Sequence, residues 1–308
     1  MKPPIKMNQC LLYKCRSKKR LAEDLQLELS DLKTRDEWIS YKVTHEPKKN
    51  GDGLRTIYAP SEKLKGTQRR ILRLLCRIGK PQWVYSGAKG KCHVDNALAH
   101  AGRSYLLLTD IESFYERCTR EMVYKFFRNE MLTSPDVAEI LADLTTCKNA
   151  EGKSIIPSGS PCSQLLAYFA YREMFDELEE CARRHGCSMS LYVDDITLSS
   201  GSPISNPKSL KKQMARIMGA HGHRLKWSKT RYAGRSDYKL VTGVALDGLG
   251  SPHVPNKLGM NIMEGLRESL GGAQRQIAPT LGRIGAARQI APDAFPEVKR
   301  IMELKSKG

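Results

Sequence analysis

Two adjacent aspartates, Asp194 and Asp195, interrupt an apolar, β-rich stretch that reads SMSLYVDDITLSS over 188–200. The flanking segments SLYV and ITL have the composition of paired strands. The spacing therefore predicts an antiparallel hairpin whose two-residue turn is Asp194–Asp195, a position that tolerates aspartate. Taken alone, the pattern has two interpretations: an ordinary turn, or two carboxylates held together to bind a metal ion.

A second stretch, YLLLTDIESFYER, favours the metal interpretation. Asp110 ends an apolar strand predicted over 104–110, and the aromatic pair Phe114 and Tyr115 follows it. If this strand pairs beside the hairpin, three carboxylates meet at one end of a sheet, and they repel one another unless a cation neutralises them. Mg²⁺ prefers oxygen ligands and often completes its shell with phosphates. Two such ions would activate an attacking hydroxyl and stabilise a leaving pyrophosphate, which is polymerase chemistry.

The charge of the chain favours a polyanionic partner. Its 308 residues include 51 Lys and Arg against 33 Asp and Glu, a net charge of +18. The stretch 48–91 holds twelve basic residues and two acids, and 201–235 holds nine basic residues and no acid. A basic run is often only a solvated surface. Two such runs around an aspartate-bearing centre instead favour a groove for a nucleic-acid backbone.

Other features argue against several classes of protein. No apolar run is long enough to span a bilayer, and the N-terminal segment lacks the apolar core of a secretory signal. We therefore expect a cytoplasmic protein with no membrane partner. The nine cysteines are odd in number and include no Cys-x-x-Cys pair, which argues against a disulfide framework and a zinc ribbon. Reduced, mostly buried thiols are expected.

The periodicity of apolar residues predicts a fold of mixed helices and strands with an antiparallel sheet. Leucines at helical spacing predict one helix over 18–40, a hairpin follows over 39–60, and a basic amphipathic helix is predicted after Ser61. Further helices are predicted over 119–132, 134–147, 164–186, 207–220 and from 256 onward, and further strands over 223–234 and 238–246.

The motifs, taken in order, resemble those of reverse transcriptases. YVDD at 192–195 is similar to the family's Tyr-x-Asp-Asp hairpin, and TDIESFY at 109–115 to its first catalytic strand. IPSGSPCSQ at 156–164 resembles the loop Leu-Pro-Gln-Gly-x-Pro-x-Ser-Pro, and LRTIYAPSEKLKGTQRRIL at 54–72 resembles the fingers segment. Four motifs in the family's order argue against a chance match.

Two further stretches resemble the retron subfamily of these enzymes. NALAH at 96–100 precedes the first catalytic strand, and VTG at 241–243 follows the basic strands. In retron relatives this region is associated with handling the cognate RNA. A structural interpretation is also open, with a buried pair on a helix and a tight strand bend. The motif residues concerned are Asn96, His100, Val241, Thr242 and Gly243.

The resemblance implies a set of metal ligands and an acid. Asp110, Asp194 and Asp195, with the backbone carbonyl of Ile111, would hold two Mg²⁺ ions, with Mn²⁺ as the alternative. Lys229, in SKTRY, would protonate the leaving pyrophosphate. A generic basic strand is the competing interpretation of Lys229.

The resemblance also implies nucleotide contacts. Arg55, with Lys48 or Lys49, would hold the triphosphate, since guanidinium and ammonium groups pair well with phosphate oxygens. Tyr115 would lie under the incoming sugar and exclude a 2′-hydroxyl, and Gly159 would let the backbone approach the nucleotide or template. The competing interpretations are a solvated turn for the lysines, a core aromatic and an ordinary loop glycine.

Three residues depart from the family pattern. Ser158 stands where the family usually has Gln, Gln164 where it has a second Pro, and Val193 where many retron enzymes have Ala. The first two bear on template or nucleotide contacts. None removes a carboxylate, so we expect activity to survive.

The architecture that the resemblance implies is an α+β, right-hand polymerase. Its fingers would span 46–105, with 120–160 returning partly to fingers and palm, and its palm, with the antiparallel sheet, would span 104–245. An N-terminal helical extension would occupy 1–45 and a small helical thumb 246–308.

The function implied is RNA-directed DNA synthesis by a retron nucleotidyltransferase. It would copy a structured non-coding RNA, both template and primer, into single-stranded DNA branched from a guanosine 2′-hydroxyl, the product called msDNA. Its partners would be that RNA, the RNA–DNA hybrid, dNTPs and an effector protein of an antiphage defence system. Two alternatives remain: another group II-like bacterial reverse transcriptase, such as one from an intron or a diversity-generating element, and a non-catalytic RNA-binding scaffold.

Overall fold

The computed structural model describes residues 3–47, 53–88 and 90–307, so the predicted phosphate ligands Lys48 and Lys49 lie outside the described residues. Helices and antiparallel strand pairs are mixed along the chain, which confirms the predicted α+β class. The helices are α1 Lys18–Leu25, α2 Leu29–Lys33, α3 Arg35–Trp38, α4 Glu62–Leu75, α5 His93–Leu98, α6 Phe114–Arg117, α7 Arg120–Lys125, α8 Pro135–Thr145, α9 Ser163–Ala170, α10 Arg172–Arg184, α11 Pro207–Ala220, α12 Asn256–Leu270, α13 Ile277–Ile290 and α14 Pro296–Lys307. The strands are β1 Tyr41–Pro47, β2 Leu54–Pro60, β3 Tyr105–Asp110, β4 Cys147–Lys148, β5 Ser154–Ile155, β6 Ser188–Tyr192, β7 Asp195–Ser200, β8 Arg231–Ala233, β9 Lys239–Val241, β10 Val244–Leu246 and β11 Pro252–His253.

The chain divides into two compact units, each built from segments that are distant in sequence. Unit 1 comprises Met1–Gly90, Ile111–Cys181 and Lys212–Lys226, and unit 2 comprises Lys91–Asp110, Ala182–Lys211 and Trp227–Gly308. The division into fingers, palm and thumb stays a prediction.

A four-stranded antiparallel sheet with the strand order β6-β7-β3-β8 forms the centre of unit 2. The strand predicted over 104–110 therefore does pair beside the aspartate hairpin. In its register Asp110 lies opposite Asp195, and Leu108 lies opposite Thr197. Every residue of β7 after Asp195 is buried, including the apolar Ile196 and Leu198. This register brings two of the three predicted carboxylates to the same end of the sheet.

The turn of the β6–β7 hairpin lies one residue earlier than the sequence predicts. Tyr192 pairs with Asp195, so the turn residues are Val193 and Asp194, and Asp195 begins β7. Val193 has a φ of +63°, a region that β-branched residues rarely enter. The reason is that Asp195 also pairs with Asp110, and this ladder fixes where β7 starts. Pairing with the neighbouring strand thus outweighs the local preference of the turn.

A smaller sheet of strand order β11-β10-β9 completes the β structure of unit 2. The β9–β10 hairpin turns at Thr242 and Gly243, whose φ angles are +43° and +85°, as expected for a tight two-residue bend. Apolar residues of this hairpin pack with α5 and β3 in one cluster. Its buried members are Val94, Ala97, Leu106, Val241, Val244, Leu246 and Ile290.

The predicted helical tail is confirmed as three helices, α12 to α14, which share an apolar core. Gly265 of α12 faces Thr280 of α13 so closely that a Cβ added to the glycine would overlap the threonine hydroxyl. None of the helices in the described ranges combines the length and apolar character that a bilayer crossing requires.

Two helices predicted for unit 1 are interrupted. The one predicted over 18–40 is three short helices, because Gln26 takes a left-handed φ of +61° and ends α1. The one predicted over 164–186 breaks at Tyr171, whose hydroxyl donates to the carbonyl of Arg117 and accepts from the amide of Thr119, each at 3.0 Å. Long-range hydrogen bonding therefore overrides helical periodicity here. Seven of the nine cysteines are buried, as predicted.

Candidate active site

Asp110 and Lys229, which were selected separately from the sequence, form an ion pair in unit 2. Asp110 is the last residue of β3 and is 5% exposed, and Lys229 lies in the short 3-10 turn before β8. The Lys229 ammonium group donates to Oδ2 of Asp110. The adjacent hydroxyls of Thr109 and Thr230 are hydrogen-bonded at 2.7 Å, which aligns the two segments. Lys229 is therefore part of the carboxylate cluster.

The other two carboxylates lie where their negative charge is disfavoured. Desolvation raises the pKa of Asp194 to about 7, and the charges of Asp195 and Asp110 add to this effect. The pKa of Asp195 is raised to about 6 by desolvation and then by Asp110, although part of its side chain still reaches solvent. Lys229 opposes both shifts. The cluster thus carries more negative charge than one lysine compensates.

A cleft of about 300 Å³ opens beside the cluster. Asp110 and Asp195 line it, and so do Leu240, Val241 and Thr242 of the β9–β10 hairpin. Asp194 is not among its lining residues. The lining residues are Leu108, Thr109, Asp110, Asp195, Ile196, Thr197, Ser228, Lys229, Arg231, Leu240, Val241 and Thr242.

The donor set of the cluster suits a hard divalent cation. Asp110, Asp194 and Asp195 offer only carboxylate oxygens, which Mg²⁺ prefers, and their unfavourable charge is the kind that a cation relieves. Among the described residues, no three acidic, His or Cys side chains lie close enough to hold a metal ion as they stand. Asp110 instead faces Lys229. The residues therefore fit a metal by chemistry and charge, and one of them, Asp110, is hydrogen-bonded to Lys229 in this structure.

Unit 1 brings together two predicted nucleotide contacts. Arg55 of β2 donates from Nε and Nη2 to the hydroxyl of Ser158, at 3.1 and 2.8 Å. The amide of Tyr58 donates to the carbonyl of Ser158 at 2.7 Å, so the Pro-Ser-Gly loop is fastened to β2. Gly159 has a φ of +108°, and a Cβ there would lie 2.7 Å from Cγ2 of Ile57. Glycine is thus required by this close approach.

The sequence did not single out Gln68, which holds the same loop from behind. Gln68 is fully buried in α4, accepts from the Ser160 hydroxyl at 2.7 Å, and donates to the Leu144 carbonyl and the Tyr41 hydroxyl at 2.9 Å each. The sequence did contain a signal for this residue, because Gln68 lies within the segment 54–72 that resembles the family's fingers motif. Its burial was not readable from that motif.

Two further predicted site residues lie just after β3, in unit 1. Ile111 is buried, and its backbone forms an antiparallel bridge with Leu225. Tyr115 is half-buried, with its ring centroid 5.4 Å from that of Phe114. Their predicted roles as a metal ligand and a sugar contact stay predictions.

The retron motif residues meet in unit 2, although 146 positions separate Asn96 from Thr242. The Asn96 side-chain amide donates to the Thr242 hydroxyl at 3.3 Å. His100 lies one turn beyond Asn96, just past the C-terminal end of α5. Its ring is hydrogen-bonded to the hydroxyls of Ser190 and Ser199 at 2.7 Å each. Asn96 and His100 are 0% and 1% exposed. The Asn96–Thr242 hydrogen bond thus joins the two motifs, and His100 is hydrogen-bonded separately to the two serines.

Comparison with known proteins gives the site its context. Residues 47–251 match the family described as "Reverse transcriptase (RNA-dependent DNA polymerase)". The chain is 30% identical over 158 residues to the retron Se72 reverse transcriptase of Salmonella heidelberg (strain 579083-10), covering 51% of this chain and 40% of that protein. It is 27% identical to the retron Ec86 reverse transcriptase of Escherichia coli over 198 residues, covering 63% and 58%. It is also 27% identical to the retron Mx65 reverse transcriptase of Myxococcus xanthus over 225 residues, covering 68% and 52%. The match thus spans about half the length of these curated relatives.

The fold has a counterpart among solved structures. Telomerase from Candida albicans, solved with a fragment of telomeric RNA, superposes with a TM-score of 0.53 at 13% identity, covering 87% of this chain and 55% of that one. At this identity the likeness concerns the fold alone. The family match covers 205 of the 308 residues. The chain therefore belongs to the reverse transcriptase family, and its curated relatives are retron enzymes.

Proposed function

We propose that the chain is the RNA-directed DNA polymerase of a retron, which copies a structured non-coding RNA into RNA-linked single-stranded DNA. The observation that carries the proposal is the meeting of Asp110, Asp195 and Lys229 around one cleft, with Asp194 in the adjoining turn. The family match and the retron relatives support it. Priming from a guanosine 2′-hydroxyl, which would give branched msDNA, belongs to the same proposal.

The carboxylates are proposed to hold divalent metal, as the reverse transcriptase family implies, with Mg²⁺ the expected ion. Such ions would supply charge neutralisation for the triphosphate and activation of the primer hydroxyl. Asp110, Asp194 and Asp195 would bind them, with the carbonyl of Ile111 as a further ligand. Lys229, released from Asp110, would place its ammonium proton near the leaving pyrophosphate. Desolvation is the largest single effect on this lysine and lowers its pKa, but the Asp110 hydrogen bond and the charges of Asp110, Asp195 and Asp194 together outweigh it and raise the pKa, so the lysine stays charged.

The incoming dNTP is proposed to bind to residues of unit 1. Arg55 would grip the triphosphate, and its hydrogen bonds to Ser158 hold the guanidinium in place beforehand. Gly159 would let the loop backbone approach the nucleotide. Tyr115 would exclude a 2′-hydroxyl from the sugar position. Lys48 and Lys49, outside the described residues, are proposed as additional phosphate contacts.

The nucleic-acid partners are proposed from charge. A net charge of +18 favours binding of a structured RNA, its RNA–DNA hybrid and the single-stranded product through phosphates. The basic helices α12 to α14 would hold the hybrid by its A-form shape. RNA affinity should accordingly fall steeply as salt rises, and a salt-insensitive complex contradicts this proposal. An effector protein, a role in phage defence and a cytoplasmic location complete it.

The test is the nucleic acid that co-purifies from a bacterial host carrying the native locus. Wild type is compared with an Asp194→Ala, Asp195→Ala double variant, and extracts are treated with RNase, DNase and a 2′-5′ debranching enzyme. A short DNA found only with wild type, whose mobility shifts on debranching, supports the retron assignment. An unbranched DNA favours another bacterial reverse transcriptase, and RNA alone in both samples favours a non-catalytic scaffold.

A further inference from the structure

Helix α5 carries two buried polar side chains that reach different hairpins of unit 2. Asn96 faces the turn of the β9–β10 hairpin, and His100, just past the helix end, faces the β6–β7 hairpin. These two hairpins contribute Thr242 and Asp195 to the wall of the catalytic cleft. Helix α5 and the residue just past its end thus contact both of the hairpins that line the cleft.

The contact with the β9–β10 hairpin fixes an unusual backbone. Thr242 has a φ of +43°, which costs free energy for a β-branched residue. Its hydroxyl donates to the His93 carbonyl at 2.6 Å and accepts from the Asn96 side-chain amide. Both of these hydrogen-bond partners belong to α5. The Asn96 Oδ1 atom is buried and has no hydrogen-bond partner in the described chain. The amide therefore acts through its NH₂ group, on Thr242.

The contact with the β6–β7 hairpin joins its two strands. Ser190 lies on β6 and Ser199 on β7, and the His100 ring is hydrogen-bonded to both hydroxyls. Ser199 lies four residues beyond Asp195 on the same strand, so both side chains point to one face of the sheet. His100 therefore ties together the strands that present Asp194 and Asp195, on the face that carries Asp195.

We propose that α5 is a brace that sets the separation of the two hairpins around the cleft. Asn96, Thr242 and His100 are then positioning residues for nucleotidyl transfer, and they act through the hairpins without touching nucleic acid. The kinetic part rests on the proposed function, whereas the structural part does not. Because both α5 side chains are buried, RNA reaches them only if α5 leaves its place.

The structural part is tested by hydrogen–deuterium exchange on the whole protein. Thr242→Val keeps the branched shape and loses the hydroxyl, whereas Thr242→Ser keeps the hydroxyl. We expect Thr242→Val to speed amide exchange over 239–246 by about tenfold, because it removes both part-buried hydrogen bonds of the hydroxyl, and to leave 188–200 unchanged. Thr242→Ser should match wild type in both segments.

The second half of the brace is tested by His100→Leu, which should speed exchange over 188–200 and leave 239–246 unchanged. If that variant does not fold, Ser199→Ala removes one of the two His100 hydrogen bonds with a smaller change. Leu98→Ala, at an exposed position of the same helix, is the control and should alter neither segment. Exchange that rises equally in both hairpins, or in neither, overturns the two-sided brace.

The kinetic part is tested by single-nucleotide addition on a generic RNA template with a DNA primer. Thr242→Val and Asn96→Leu should each lower kcat by about tenfold with little change in KM, and the double variant should be no worse than either. Thr242→Ser should restore kcat. RNA affinity measured separately should stay at the wild-type value. Lower RNA affinity with unchanged exchange would overturn the brace in favour of a direct contact. Absence of DNA synthesis by the wild-type protein would contradict the proposed function. The exchange test of the structural part would still be valid.

Discussion

The ammonium group of Lys229 donates a hydrogen bond to the carboxylate of Asp110. The positive charge of this lysine therefore lies at a carboxylate that a metal ion would also bind. The two residues are 119 positions apart and meet because β3 pairs with β8, which begins two residues after the lysine. We therefore predict that metal binding and the position of Lys229 are coupled.

Lys229→Met should make Mg²⁺ binding tighter. The ion must displace the ammonium group from Asp110, and the lysine side chain is 45% exposed, so the gain should be only about two- to fivefold in the Mg²⁺ midpoint. The measurement is a Mg²⁺ titration of the melting temperature after EDTA treatment. Lys229→Arg keeps the charge and should leave the midpoint near that of wild type, and an unchanged midpoint in Lys229→Met contradicts the coupling.

The contribution of Asp194 and Asp195 to the stability of the metal-free protein should fall as pH rises from 4 towards 8. The pKa values of Asp194 and Asp195 in the fold, about 7 and 6, exceed the ordinary 3.8, so their protons stabilise the fold at low pH and that contribution is lost as each titrates. Asp194→Asn should therefore raise the melting temperature in EDTA at pH 8 by at least about 3 °C. It should also abolish DNA synthesis. The exposed Asp36→Asn is the control and should change neither quantity.

His223→Phe should stabilise the protein, and more so in acid. Both ring nitrogens are buried without a partner in the described chain, and the ring packs on Phe114 and Tyr171. Burial, with the charge of Arg117 next, lowers its pKa to about 4, so wild type loses stability as pH falls from 6.5 towards 4. The variant's advantage in denaturant unfolding should grow by about 2 kcal/mol between pH 7 and pH 4.5. His223→Leu is the smaller companion variant. An advantage independent of pH would show that His223 is not the titrating group.

Ser158→Ala should weaken nucleotide binding. The variant removes both hydrogen bonds that hold the Arg55 guanidinium, so KM for dNTP should rise about three- to tenfold while kcat changes little. Steady-state kinetics at saturating template measure both constants. Ser154→Ala, in the neighbouring strand β5, is the control. A fall in kcat with unchanged KM would place Ser158 outside the nucleotide site.

Gly159→Ala should destabilise the protein more than Gly152→Ala. Both glycines have positive φ, but only at Gly159 does an added Cβ collide, with Ile57 of β2, whereas nothing lies within 4 Å at Gly152. The difference between the two melting temperatures therefore isolates the collision, and about 1–3 kcal/mol of further destabilisation is expected at Gly159. Equal effects would mean that the loop moves away from β2 freely.

Local patterns predicted much of this fold. The hairpin over 39–60, the strand ending at Asp110 and the helix over 207–220 follow from alternation and helical spacing, and the structure has all three. The turn at Val193–Asp194 was misplaced by one residue because a neighbouring strand decides where β7 begins. Local sequence contains no record of such pairing.

The candidate site divides in the same way. Asp110 and Lys229 were identified from the sequence as candidate site residues because each lies in a distinctive motif. Gln68 and Ser190 were not singled out, and Ser158 was not recognised as the partner of Arg55, because these are ordinary polar residues that matter only through what folding brings near them. A buried glutamine and an exposed one look alike in a sequence.

The four strands of the sheet β6-β7-β3-β8 are synthesised in an order that differs from their order in the sheet. Synthesis delivers the central strand first, then the hairpin beside it, and the strand preceded by Lys229 last. When only the first two hundred residues have been synthesised, the nascent chain contains Asp110, Asp194 and Asp195 but not yet Lys229, which offsets part of their negative charge. The active site is therefore completed late in translation, after most of the chain has emerged.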